Sequence, residues 1–201
     1  MTETQTLPDT RPLLSKALDQ VTWLIEAVEV ADLVRPTPCS EWSVRDLLSH
    51  LVAIDTRIAH VAGGGHFAEV PTSVTGIADD GWADAWRAGL VTVRNSVGGP
   101  DVLGRTWQHP AGDMPGFQAI AIYASEFAVH GWDLARALGR DADLDESLAA
   151  ALVGPITGAL PAQPRNLPQI PFGPVVEVPA DAAPYARLVG WVGRDPQWRA
   201  G

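Results

Sequence analysis

Residues 125–139, SEFAVHGWDLARALG, read as one stretch of helix. Phe127, Gly131, Leu134 and Leu138 recur at intervals of three and four, which places them along one side. Glu126 and His130 stand beside that apolar stripe, four residues apart and therefore one turn above the other. Ionisable side chains next to a core-facing stripe are costly unless something holds them. The stretch therefore specifies a packed helix and, on its edge, two polar groups in need of a partner.

Three more segments share the helical period. The first is expected over Arg11–Leu33, with Leu14, Ala17, Val21, Leu24, Ile25 and Val28 on one face, until the two prolines of RPTPCSEW end it. The second, SVRDLLSHLVAIDTRIAHV (43–61), opens on Ser43 as a cap with Asp46 reaching back as in a capping box. Leu47, Leu51, Ile54, Ile58 and Val61 form its stripe, and GGGH at 63–66 closes it. The third, Gly81–Ser96, carries Trp82, Trp86, Leu90 and Val93, and the fourth spans Phe117–Leu138. Long amphipathic segments of this kind suit an all-α helix bundle around one core.

Between the third and fourth segments, GGPDVLGRTWQHPAGDMPG reads as an irregular connection. A shorter helix is expected over Glu146–Leu160 and a terminal one over Ala183–Val192. The link between them is proline-rich, with VVEV as a candidate brief strand. The expected organisation is a single domain over 1–201, with a core at about 11–160 and a C-terminal extension at about 161–201. MTETQTLPDTRP reads as a frayed start.

With 201 residues, 46% hydrophobic and 19% charged, the chain can bury a real core. A net charge of −10 disfavours polyanionic partners, so neither nucleic acid nor an anionic membrane is expected. No apolar run approaches the roughly eighteen residues of a membrane span. The first residues lack the basic-then-apolar order of a signal peptide, which leads to the expectation of a cytoplasmic protein. One cysteine, Cys39, excludes an internal disulfide and a cysteine-rich zinc site.

His50 lies three residues after Leu47 and four before Ile54, on the inward stripe of the second segment. Tyr123, Glu126, His130 and Asp133 make a polar stripe on the fourth. If those helices pack together, His50 faces Glu126 and His130. Two imidazoles and a carboxylate form a three-ligand set with a fourth position open to water or substrate. Such donors favour zinc, nickel or iron over magnesium or calcium. The same placement also suits a satisfied core histidine and a solvated Glu-x-x-x-His pair.

Asp133 is a candidate to orient the His130 imidazole, or else to contact Arg136 or Arg140. Arg57, seven residues after His50 on the same face, is a candidate contact for a substrate carboxylate, or else an arginine snorkelling at the bundle end. His60, His66 and His109 read as histidines in or near loops. Cys39 has no obvious paired base, and Trp42 and Trp132 flank the ligand blocks as candidate pocket walls. No phosphate-cradling loop, GxSxG elbow or HExxH motif is present.

Three blocks, TPCSEWSVRDLLSHLVAID (37–55), ASEFAVHGWDLARALGR (124–140) and VGRDPQW (192–198), resemble the metal-binding family related to mycothiol-dependent maleylpyruvate isomerase. That family lies in the wider DinB/YfiT-like superfamily of four-helix bundles. The resemblance implies His50, Glu126 and His130 as ligands of a divalent metal, zinc first and nickel or iron next. It implies mycothiol as the thiol cofactor and a small electrophilic substrate, in a monomer or homodimer. The implied chemistry is addition of a metal-activated thiol, giving an isomerase if the thiol departs and an S-transferase if it stays. A hydrolase or lyase using metal-activated water, and a non-catalytic metal- or ligand-binding bundle, are the alternatives. The characterised isomerase is longer, with a separate C-terminal domain that contributes to its substrate site. Only about sixty residues follow the fourth segment here, so the resemblance does not carry that substrate over.

Overall fold

The structure, a computed structural model, describes residues 7–165 and 172–200. Among these residues it is mostly helical: α1 (Arg11–Glu26), α2 (Val44–Ala62), α3 (Trp82–Val97), α4 (Gly116–Leu138), α5 (Glu146–Ala159) and α6 (Pro184–Trp191). One antiparallel hairpin, β1 (Thr106–His109) and β2 (Gly112–Pro115), stands between α3 and α4. Of the start expected to fray, MTETQTLPDTRP, residues 1–6 lie outside the described residues, as do residues 166–171 of the proline-rich link, whereas Arg11 and Pro12 already open α1. No helix among the described residues is long and apolar enough to cross a membrane.

The first helix is shorter than its periodicity implies, ending at Glu26 instead of Leu33. Glu29 is extended and caps a separate 3-10 turn, Val30–Val34, whose Asp32 Oδ2 accepts from the Glu29 N–H at 3.0 Å. That local capping box supplies the backbone with an alternative to continuing the α-helix. The start of α2 uses the device foreseen for it. Ser43 N–H donates to Asp46 Oδ2 at 2.9 Å, and Asp46 N–H donates to Ser43 Oγ at 3.3 Å.

α4 is the element against which most others pack. α1 lies along it, α2 and α5 touch its other sides, and α3 lies along α2. Gly131 lets α1 approach closely: a Cβ there would stand 3.3 Å from Val21 Cγ2. Trp86, Trp107, Tyr123 and Phe127 fill the centre together with the leucines of α1 and α2. Trp86 meets Phe127 edge-on at 5.7 Å, and its indole N–H donates to Thr22 Oγ1 at 2.8 Å.

Two departures from the expected connections bear on the site. The link to α4, read as irregular, contains the hairpin, which pairs Trp107 with Met114 and His109 with Gly112. Alternation buries Trp107 and His109 together on one face. Arg105 ties the hairpin base to the end of α2 by donating to the Ala62 carbonyl at 2.8 Å. VVEV is not a strand; it hooks onto α6 through the Val176 N–H, which donates to the Gly190 carbonyl at 2.9 Å. Residues 66–77 form a strap over α2, fixed where Ser49 Oγ donates to the Val74 carbonyl at 2.7 Å.

α2 also buries Asp55 against Gly89 of α3, where a Cβ would stand 2.4 Å from Asp55 Oδ2. Neither carboxyl oxygen has a hydrogen-bond partner among the described residues, and burial pushes the group up to about 8. The folded protein thus keeps a proton that the unfolded chain releases near its ordinary value. As pH rises through that interval, stability falls by up to about 1.4 kcal/mol per pH unit. Asp55→Asn is expected to remove this slope. Urea unfolding of both proteins at about pH 5 and pH 8 reads it. Identical pH dependence in the two would show that Asp55 ionises freely in the native state.

Candidate metal centre

α2 and α4 bring His50, Glu126 and His130 together, with one ligand atom from each within 4.8 Å of the others. His50 Nε2 stands 3.3 Å from Glu126 Oε1, and the two imidazoles meet edge-on with centroids 5.0 Å apart. The far side of each ring is anchored. His50 Nδ1 lies 2.7 Å from the Thr72 carbonyl of the strap, an atom that only accepts, so the proton is on Nδ1. His130 Nδ1 lies 3.1 Å from Asp133 Oδ2, which fixes the second ring in the same sense.

Both rings therefore offer Nε2 as the free nitrogen, the tautomer a metal ligand needs. The His50–Glu126 contact requires either a second proton on His50 or a cation between the two groups. The donor set thus fits a divalent ion of the zinc, nickel or iron type. Burial pushes the His130 imidazole down, with the Asp133 hydrogen bond opposing. Burial alone would raise the Glu126 carboxyl, but the contact with His50 first, and the neighbouring imidazoles after it, hold it well below the usual range.

Of its two candidate roles, Asp133 takes the one facing His130. Its other contact is Arg194, whose Nε and Nη2 donate to the two carboxylate oxygens at 3.1 Å each. Arg136 instead binds Asp141 and the Pro196 carbonyl. Arg194 went unassigned in the sequence although it lies within VGRDPQW, because nothing local connects it to a residue 61 positions earlier. Trp42 walls the site as expected, its ring 4.9 Å from His50 and stacked at 5.8 Å on His130. Trp132 is buried beneath the Arg136 guanidinium, 5.2 Å from its ring.

Arg57 does not snorkel: it is buried, donating from Nη2 to the Pro71 carbonyl at 3.3 Å while Nε has no partner. His109, read as a loop residue, is buried on β1 with its ring 4.7 Å from Tyr123. Burial pushes its imidazole down to about 4. His60 and His66 stay near the loop, His60 against Glu69 at 2.5 Å and His66 capping the following turn. Cys39 approaches His130 and Asp133, but burial pushes its thiol up to about 11, so it remains protonated and a weak nucleophile. Cys39, His130 and Asp133 thus form a second possible ligand group, but its carboxylate is already held by Arg194.

A cavity of about 700 Å³ opens beside His50 between the start of α2 and the strap, with Trp42 and Trp82 among its walls. This volume is in the range of small-molecule sites. Thr72 to Ile77 supply one side of it, so the segment that anchors His50 also shapes the entrance.

Comparison with known proteins adds a relationship to this geometry. Two proteins of Mycobacterium tuberculosis, from strains CDC 1551 / Oshkosh and H37Rv and both uncharacterised, are each 29% identical over 185 residues, covering 91% of this chain and 97% of theirs. The crystal structure of the mycothiol-dependent maleylpyruvate isomerase is similar in fold, with a TM-score of 0.54 at 15% identity over 76% of this chain and 72% of that one. A mutant of that isomerase matches with a TM-score of 0.55 at 14% identity over the same shares. The family model described as the mycothiol maleylpyruvate isomerase N-terminal domain matches residues 14–135, a span that includes His50, Glu126, His130 and Asp133. The chain belongs to the family of the mycothiol maleylpyruvate isomerase N-terminal domain.

Proposed function

We propose that the protein is a metal-dependent enzyme that activates a low-molecular-weight thiol, mycothiol, for addition to a small electrophilic substrate. In this reading His50, Glu126 and His130 hold a divalent metal, zinc first, within a DinB-like four-helix bundle that residues 161–201 extend. The observation that carries it is the pair of imidazoles, each anchored through Nδ1, converging with one carboxylate beside a cavity. Three ligands leave a coordination position open, as catalytic sites do, whereas structural zinc sites close with four.

A divalent cation there lowers the pKa of a bound thiol, making thiolate available at neutral pH. Glu126 contributes the single negative charge of the ligand set, and the neutral imidazoles leave the centre able to attract an anionic sulfur. Trp42 shields one side from water. Arg57, with Nε uncommitted, is assigned to a substrate carboxylate. Addition of the thiolate to an activated double bond, rotation, and loss of the same thiol give cis–trans isomerisation. If the adduct instead takes up a proton and is released, the outcome is S-transfer.

Calorimetric titration of the protein with mycothiol, zinc-loaded and zinc-stripped, tests the reading. Heat of binding is expected with the loaded protein and at least about tenfold weaker binding without metal. Equal binding in both states would separate the thiol from the metal and return the site to water activation or to a non-catalytic role.

A further inference from the structure

Residues 71–77, the part of the strap beside His50, have neither helix nor strand of their own, and Pro71, Thr72 and Ser73 are exposed. Among the described residues, every hydrogen bond made by their backbone goes to α2. Arg57 Nη2 donates to the Pro71 carbonyl at 3.3 Å, His50 Nδ1 to the Thr72 carbonyl at 2.7 Å, and Ser49 Oγ to the Val74 carbonyl at 2.7 Å. The Val74 N–H returns to Ser49, 3.0 Å from Oγ and 3.4 Å from the carbonyl oxygen. Ser49 thus engages both the N–H and the carbonyl of one strap residue, two positions from the carbonyl that anchors His50. A segment so exposed, with few apolar contacts, opens at low cost once such bonds are lost.

The use of this hydroxyl is telling. A buried serine inside a helix can return its hydroxyl to the carbonyl one turn back, as Ser125 of α4 does with Ala121 at 2.9 Å. Ser49 is also buried inside its helix, yet its hydroxyl is spent on the strap. The carbonyl held in place as a result decides which nitrogen of the neutral His50 ring carries the proton. With Thr72 in position the proton is on Nδ1 and Nε2 is free. Without it the proton can move to Nε2, where Glu126 Oε1, 3.3 Å away, accepts it. That tautomer blocks the nitrogen a metal needs.

We infer that Ser49 is a positioning residue for the metal centre: by clamping Val74 it holds the Thr72 carbonyl on His50 Nδ1. The inference rests on the metal reading of His50, Glu126 and His130. Groups that orient a ligating imidazole through its second nitrogen set metal affinity as well as geometry. His130 has a buried carboxylate for this purpose, Asp133, whereas His50 depends on the backbone of an exposed segment and so on whatever fixes that segment. Ser49, Thr72 and Val74 also line the cavity, so the clamp stands where a ligand would approach the metal.

Ser49→Ala removes the hydroxyl, and Ser49→Thr keeps it. Ser49→Val has the shape of the threonine variant without its hydroxyl, so the Thr–Val pair reads the clamp even if the added methyl disturbs packing. Zn²⁺ alone is titrated into each protein in competition with a chromophoric chelator, and melting is followed without metal. The Ala variant is expected to bind Zn²⁺ about tenfold more weakly, with the Thr variant recovering most of the loss and the Val variant none of it. Wild-type Zn²⁺ affinity in the Ala and Val variants, with only metal-free melting lowered, would make Ser49 a staple of the strap and overturn the inference, leaving the metal reading standing. Equal weakening in the Thr and Val variants would overturn it in the same way. A wild-type protein that binds no Zn²⁺ would overturn both readings.

Discussion

His50→Ala, Glu126→Ala and His130→Ala proteins are each expected to remain folded and to lose stoichiometric metal. Elemental analysis after loading and desalting should fall from near one divalent ion per chain to below about a tenth. With only three protein ligands, loss of one leaves two, too few to retain an ion through desalting. The folding cost is modest because none of the three side chains is wholly enclosed: Glu126 is a quarter exposed and each histidine about a tenth. Thermal melting gives an independent readout. An ion present at about a hundred times its Kd stabilises the wild type by roughly 2.7 kcal/mol, and that increment should vanish in each variant. Retention of full metal by all three would remove these residues from the site and transfer attention to the group that includes Cys39.

The parts legible in the sequence were those governed by local rules. α2 and α4 follow from a period of three and four maintained over several turns, and the Ser43–Asp46 box fixes where α2 begins. His50, Glu126 and His130 could be grouped on the condition that the two helices pack together, and it was the family resemblance that implied them as ligands. What escaped depends on distant partners. TWQH and GDMP carry no strong β pattern, so the hairpin emerges only once Trp107 and His109 are buried against α4. His109 thus read as a loop histidine. Arg57 read either as a contact for a substrate carboxylate or as an arginine snorkelling at the bundle end, because the strap that buries it, including Pro71, has no periodicity to announce it. The opposite error arose at VVEV, where a β-branched run satisfies its backbone through α6 instead of a strand. Glu29 ended α1 early for a local reason, but one that competes with a helical pattern strong enough to hide it.

Asp133→Ala is expected to be the most damaging single change outside the ligand set, because Asp133 serves two partners at once. It is fully buried, and Arg194 beside it is only 14% exposed. Removing the carboxylate leaves a buried guanidinium unpaired, a loss of about 3–5 kcal/mol in denaturant unfolding. The same change deprives His130 Nδ1 of its acceptor, so metal affinity should fall about 10–100-fold. A single variant cannot separate these effects, but a pair can. In Asp133→Leu with Arg194→Met both charges disappear and apolar side chains fill the space, which is often neutral or even stabilising for a buried ion pair. Stability should therefore return towards the wild-type value. Metal affinity should not, since His130 still has nothing to fix its tautomer. If the double variant recovers both, the Arg194–Asp133 pair is a packing element whose link to the centre is incidental. If it recovers stability alone, the chain from Arg194 through Asp133 to His130 sets the metal site, and the C-terminal VGRDPQW segment belongs to the centre as much as to the fold.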